Sequence, residues 1–209
     1  MGTDIRGFVE CRAWAADGGG TRWHAAIDLE LLGMTRDYVG FACLFGVRDL
    51  DDRWRPVVDA RGLPEDVSDT ARAGHASWGA AAFGATWLGW AEVLAVDWDE
   101  PALPPATRIA RYRRLPDGSL EPVRREDWSR TFARAAGIDS RTFDFGRLGE
   151  RWAEGTEWDA GRLVFRAERD RRRDAVPADG PWQPVWSVMR TLAEVHGEEH
   201  VRLVVWFEE

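Results

Sequence analysis

The sequence predicts an α+β fold, with an antiparallel or mixed β-sheet built from hairpins and helices packed on it. Three observations carry this. β-like runs come in pairs around glycine-bearing turns, helix-period segments are scattered between the pairs, and no strand–helix–strand alternation runs through the chain. A doubly wound parallel sheet is the weaker reading for that last reason.

In chain order, Ile5 to Trp14 reads as a strand. Asp17-Gly18-Gly19-Gly20 follows as a turn, then a second strand from about Arg22 to Asp28 with Trp23, Ala25 and Ile27 on one face. Asp37 to Phe45 is helical, because Tyr38, Phe41, Ala42 and Phe45 recur at helix spacing and Gly46 is placed to end it. Val47 to Leu63 is irregular, and Pro64-Glu65-Asp66 opens a short helix toward Ala73. Gly79 to Ala85 carries no assignable period, whereas Gly89 with Glu92 three residues on starts a helix through about Ala95. Asp97 to Pro105 reads as a surface linker within one domain. Thr107 to Leu115 and Leu120 to Arg124 then flank Pro116-Asp117-Gly118-Ser119 as a second hairpin. A helix from about Glu126 to Ala136 follows, with Trp128, Phe132 and Ala136 on one stripe and Gly137 as its stop. Arg162 to Ala167 alternates as a half-buried strand, Trp182 to Val195 is the last helix, and Val201 to Phe207 the last strand.

With 209 residues the chain suits one domain, 1–209, that buries a core without staples. A net charge of −8 repels phosphate backbones, so no nucleic acid is expected as partner. The basic run Arg169 to Arg173 is interleaved with Asp170 and flanked by Glu168 and Asp174, and reads as a solvated strand end or hairpin tip. No apolar run approaches membrane-helix length, and the N-terminus lacks both the secretory and the myristoylation patterns. The expected setting is therefore the cytoplasm, with no membrane partner and with Cys11 and Cys43 as reduced, buried thiols. Every basic residue other than His is Arg, which excludes Schiff-base chemistry and a P-loop lysine.

Motifs for chemistry are few. His196-Gly197-Glu198-Glu199-His200 matches the zinc-protease string H-x-x-E-H, but that string needs one continuous helix. Gly197 stops a helix and Val201 starts a strand, so the segment reads as a connection and no metal site is assigned. Gly18-Gly19-Gly20 precedes a strand and not a helix, so it reads as a turn and not a phosphate cradle. No nucleophile elbow is present, and no cofactor is implied. Two loci remain. Asp4 and Arg6 share one strand face and can form an ion pair or orient a bound group. Arg48, Asp49, Arg61 and Asp66 lie on loops, where Arg61 either holds a carboxylate or phosphate or caps loop carbonyls.

The opening Met1-Gly2-Thr3-Asp4-Ile5-Arg6 resembles a family of bacterial and phage proteins that begin M-G-x-D-I-H. The likeness continues at Arg36-Asp37-Tyr38, Gly46-Val47-Arg48-Asp49, Arg61-Gly62-Leu63-Pro64 and Thr86-Trp87-Leu88 with Glu92, and ends at Val201-Arg202-Leu203-Val204-Val205-Trp206-Phe207. The stretch from about 100 to 180 is least marked and reads as an insertion that varies within the family. The resemblance implies kinship and no particular reaction. Where the family has His, this chain has Arg6, and Phe83 stands in place of a second His. Arg neither ligates metal nor titrates usefully, and Phe does neither. His75, about eight residues upstream, is the ring left to replace it.

Two functions follow as expectations. The preferred one is a non-catalytic binding or protein-interaction module with an aromatic recognition surface. The other is a small-molecule hydrolase or transferase acting on an anionic, phosphate- or carboxylate-bearing substrate. Asp4 or Asp66 would then serve as base, and Arg6, Arg48, Arg61 and His75 would hold the ligand. The partner is accordingly a protein or a small anionic ligand.

Overall fold

A computed structural model describes residues 2–14, 20–50, 52–103, 107–125, 127–139 and 152–209. The chain divides into two compact units, Met1–Asp99 with Arg172–Glu209, and Glu100–Arg171.

The first unit is built on a four-stranded sheet. Its strands are β1 (Asp4–Trp14), β2 (Thr21–Asp28), β3 (Ala82–Gly89) and β8 (Val201–Glu208), in the order β2-β1-β8-β3. Every pairing is antiparallel, as the fold class predicts, but only β1 with β2 joins consecutive strands, since β8 pairs with β1 and β3 across most of the chain. Strands β1 and β2 pair from Trp14↔Thr21 to Phe8↔Asp28, with a bulge at Val9/Glu10. Asp17, Gly18 and Gly19 of the expected turn lie outside the described residues. Strand β8 is central and every residue from Val201 to Phe207 is buried, which is why its sequence is a near-continuous apolar run and does not alternate. Strand β3 is the element for which the sequence gives no period. Its Ala- and Gly-rich start is held by pairing to β8, with an irregularity between Phe83 and Thr86, and not by its own propensity.

Both faces of this sheet are covered. Helix α1 (Tyr38–Phe45) places Phe41 and Phe45 against Phe207 at ring separations of 5.2 and 5.8 Å. Asp37 caps α1, accepting from the Gly40 amide at 3.2 Å, and Gly46 ends it in the left-handed region at φ 66°. The same Asp37 accepts a hydrogen bond from Trp182 Nε1 at 2.9 Å. Trp182, fully buried against Phe41 and Phe45, leads into the long helix (Gln183–His196) that packs on β1 and β8. On the opposite face, α2 (Asp69–Trp78) packs Ala71 beside Val67 and Val204, with Phe8, Leu63 and Trp87 around them. The helix expected to open at Pro64-Glu65-Asp66 begins later. Ser68 caps it, accepting from the Ala71 amide at 3.2 Å, because Asp66 is engaged elsewhere. Helix α3 (Trp90–Leu94) starts as expected, with the Glu92 carboxylate accepting from the Gly89 amide at 2.9 Å.

The second unit has its own sheet of β4 (Thr107–Arg114), β5 (Leu120–Arg124), β6 (Glu157–Ala160) and β7 (Leu163–Arg169), ordered β5-β4-β7-β6 and antiparallel throughout. Helix α4 (Arg130–Ala135), capped by Ser129, drives Phe132 into a cage of Trp152, Trp158 and Phe165 at 5.7, 5.1 and 5.5 Å. The stripe of Trp128, Phe132 and Ala136 read from the sequence is therefore its core side, although the helix starts at Arg130 and not near 126.

The run Arg169 to Arg173 is not a single solvated tip. Arg169 ends β7, while Arg172 begins α5 (Arg172–Ala175), is 6% exposed, and donates to the Arg55 carbonyl at 2.9 Å. The helix ending at His196 is α6. No helix among the described residues is long and apolar enough to cross a membrane.

Candidate functional site

One charged cluster of the first unit is buried in the sheet itself. Glu10 on β1 and Arg202 on β8 face each other in register, with side chains 0% and 5% exposed. Removing two charges from water costs several kcal/mol per ion unless each finds full partners. Here Arg202 Nε donates to Glu10 Oε2 at 2.8 Å, Nη1 to Asp66 Oδ1 at 2.7 Å, and Nη2 to the Asp66 carbonyl at 3.1 Å. Glu10 Oε1 accepts from the Ser68 amide at 3.0 Å. The Trp23 ring lies 3.8 Å from the guanidinium carbon, and its Nε1 donates to Asp66 Oδ2 at 2.8 Å. A planar guanidinium suits this arrangement, since its fork meets carboxylates at the edge while its face meets an indole. The network ties β2, β1, β8 and the α2 cap to the Asp66 loop.

A groove of ≈ 730 Å³ opens beside this network, walled by Trp23 from β2 and Trp87 from β3, the two edge strands. The Arg61 to Asp66 segment and the turn at Glu198 and Glu199 complete it. On the Trp87 side the arrangement repeats. Arg61 lies 4.9 Å from the Trp87 ring centre and forks onto Glu92, Nη1 to Oε2 at 3.2 Å and Nη2 to Oε1 at 2.8 Å. Partial burial works to raise the Glu92 pKa. The hydrogen bonds from Arg61 and the Gly89 amide, with the Arg61 charge, outweigh it and hold the carboxyl below its ordinary range. At Asp66 burial likewise opposes, and the Arg202 hydrogen bond and charge with the Trp23 N–H bring the pKa down. Both acids are thus carboxylates committed to cations.

The predicted site residues fall in different places. Arg61 and Asp66 share the groove. Asp4 and Arg6 do not pair with each other. Asp4 takes Arg36 bidentately, 2.9 Å at each oxygen, and its pKa is lowered chiefly by that hydrogen bond. Arg6 donates to Glu30 at 3.2 Å and Glu208 at 3.1 Å, and stacks 5.1 Å from the Trp78 ring. Arg48 sits at φ 64°, bonds Thr3 Oγ1 at 2.5 Å and ion-pairs with Glu209. Asp49 caps the next turn, accepting from the Arg53 and Trp54 amides at 2.8 Å each. His75 meets the Trp206 ring edge-on at 5.5 Å, whereas Phe83 packs on Phe207 at 6.0 Å. Successive strand residues point to opposite faces, so His75 does not occupy the place of Phe83. In His196-Gly197-Glu198-Glu199-His200, α6 ends at His196, Gly197 follows at φ 98°, and a 3₁₀ turn leads into β8. The two His therefore share no helix face. Cys11 and Cys43 are buried thiols outside any disulfide, and burial with the Glu10 charge pushes the Cys11 thiol up.

Glu10, Trp23, Trp87, Glu92 and Arg202 are the site residues that sequence reasoning did not select. A signal for Arg202 exists, as the sole charge inside Val201 to Phe207, and a charge in a buried strand requires a partner. Comparison of the chain with protein-family models, with curated proteins and with solved structures finds no match.

Proposed function

We propose that the chain is a non-catalytic binding module and that the Trp23–Trp87 groove is its recognition surface. The observation that carries this is the state of the groove's charges. Both oxygens of Asp66 and both of Glu92 accept from cations or N–H groups, and each acid is held ionised. A carboxylate so held is a weak proton acceptor, which disfavours a general base here. Asp4, the other acid proposed as base, is likewise committed to Arg36. What the groove offers instead is a volume suited to a ligand and two half-buried indoles on a rigid sheet, the residue type that dominates recognition hot spots. The kinship with bacterial and phage proteins drawn from the sequence motifs belongs to the same proposal.

The test is a thermal-shift panel of peptides, nucleotides and phosphorylated metabolites on the wild type and on Trp87→Leu. A compound that raises the melting temperature of the wild type and not of the variant supports the groove. Turnover of any panel compound that stops in Asp66→Asn would overturn the non-catalytic reading.

A further inference from the structure

Resting on that reading, we infer that the groove takes a cationic partner, an arginine-bearing peptide segment whose guanidinium groups pair with Glu65, Glu198 and Glu199 between the Trp23 and Trp87 walls. Charge complementarity points there first. Five carboxylates, Glu65, Asp66, Glu92, Glu198 and Glu199, line the groove against two guanidinium groups. Both guanidiniums are already neutralised, Arg61 by Glu92 and Arg202 by Glu10 and Asp66. On the acidic side, three carboxylates remain. Glu65 and Glu198 are exposed and have no ion-pair partner among the described residues, and Glu199 has only the His200 ring at 3.7 Å. An anion entering this space meets unneutralised carboxylates, whereas a cation meets counter-charges set between aromatic walls.

The second argument comes from what the walls already hold. Each indole carries one guanidinium, at 3.8 Å over Trp23 and 4.9 Å over Trp87, and each guanidinium is clamped from its edge by a carboxylate. The groove thus holds two guanidiniums of its own by the indole–guanidinium–carboxylate arrangement, and Glu65, Glu198 and Glu199 supply carboxylates for further guanidiniums. Arginine fits better than lysine, because its flat, weakly hydrated head stacks and forks at once. The chain's net charge of −8 adds attraction at longer range.

The test titrates the full chain calorimetrically with a capped peptide of three arginines alternating with glycine, and with its citrulline counterpart of equal shape and no charge. The arginine peptide is expected to bind at least tenfold more tightly than the citrulline one. Its affinity should fall at least tenfold in Glu65→Gln/Glu198→Gln and in Trp87→Leu. It should stay within twofold in Asp179→Asn/Glu194→Gln, which removes two exposed carboxylates outside the groove. A circular-dichroism melt of each variant establishes that it is folded. Absence of binding, equal binding of the citrulline peptide, or equal loss in both carboxylate pairs overturns the inference. The inference and the reading fail separately. If the arginine peptide does not bind but another panel compound depends on Trp87, the groove stands and its ligand is not cationic. If no compound depends on Trp87, the groove itself falls.

Discussion

At the scale of single residues, the buried pair of Glu10 and Arg202 determines how the first unit tolerates change. Each of the two is under 10% exposed, and Arg202 also holds the loop through Asp66. Removing one member of such a pair leaves its partner charged and dry, at a cost of about 3–5 kcal/mol. Arg202→Met is therefore expected to lower stability by that amount in denaturant unfolding. Glu10→Leu/Arg202→Leu should lose clearly less than the sum of its single changes, because the orphaned charge is gone. A second expectation concerns acid. Asp4, Asp66 and Glu92 have folded pKa values below their ordinary ones, so the unfolded chain takes up these protons more readily than the folded one. Their stabilisation is complete above about pH 5 and is lost as pH falls through 4 and below. The melting temperature should drop between pH 5 and pH 3, and Asp66→Asn should start lower at pH 7 and fall less steeply. Legibility at this scale was uneven. Arg61 and Asp66 were readable because loop charges beside breakers stand out, and both line the groove. Arg202 was readable as a charge in need of a partner, but that the partners are Glu10, Asp66 and Trp23 was not, because a contact across a sheet depends on register, and one sequence does not fix which strands are neighbours.

At the scale of elements, the α1 cap shows how closely a local signal and a distant contact can be joined. Asp37 satisfies the Gly40 amide with one oxygen and Trp182 Nε1 with the other. Gly40 makes this possible by having no side chain. A Cβ there would lie 2.3 Å from Asp37 Oδ2 and 2.5 Å from Trp182 Nε1. Gly40→Ala gains helix propensity but must displace a cap and a fully buried indole. Overpacking of this kind costs typically about 1–3 kcal/mol, more than alanine's propensity gain of about 0.5–1 kcal/mol. The net expectation is a lower melting temperature, together with a changed near-ultraviolet signal from Trp182. Ser129→Ala at the α4 cap, by comparison, should cost about 1 kcal/mol with no aromatic signature. The hairpins, the Gly46 stop of α1 and the Gly89–Glu92 start of α3 were legible because their chemistry is local, whereas the Ser129 cap of α4 was not selected. Strand β3 and the delayed start of α2 were not. The first is imposed by pairing to β8, and the second by Arg202 and Trp23 drawing Asp66 away from a helix start.

At the scale of the whole molecule, the question is whether the first unit needs the second. Their contacts separate at Asp99/Glu100 and at Arg171/Arg172, and each unit has its own sheet and aromatic core. Within the first unit the two ends of the break are already joined. The Arg173 amide donates to the Trp98 carbonyl at 2.9 Å, and Arg173 ion-pairs with Asp99. A bridge between Pro101 and Arg171 closes the second unit in the same way. Chain ends held this close need no long connection, and loop closure by a few flexible residues adds little entropy. Replacing Glu100–Arg171 with a short Gly-Ser linker is therefore expected to leave a folded protein. Its melting temperature should lie within about 4 °C of the full chain, the span of about 1 kcal/mol for a domain of this size. The groove residues Trp23, Arg61, Trp87 and Arg202 all belong to the retained unit, so any ligand bound by the full chain through Trp87 should bind the shortened one within about twofold. A shortened chain that is unfolded would mean that the sheet β2-β1-β8-β3 depends on the second unit for its stability. A folded chain that no longer binds would mean that residues of Glu100–Arg171 contribute to recognition.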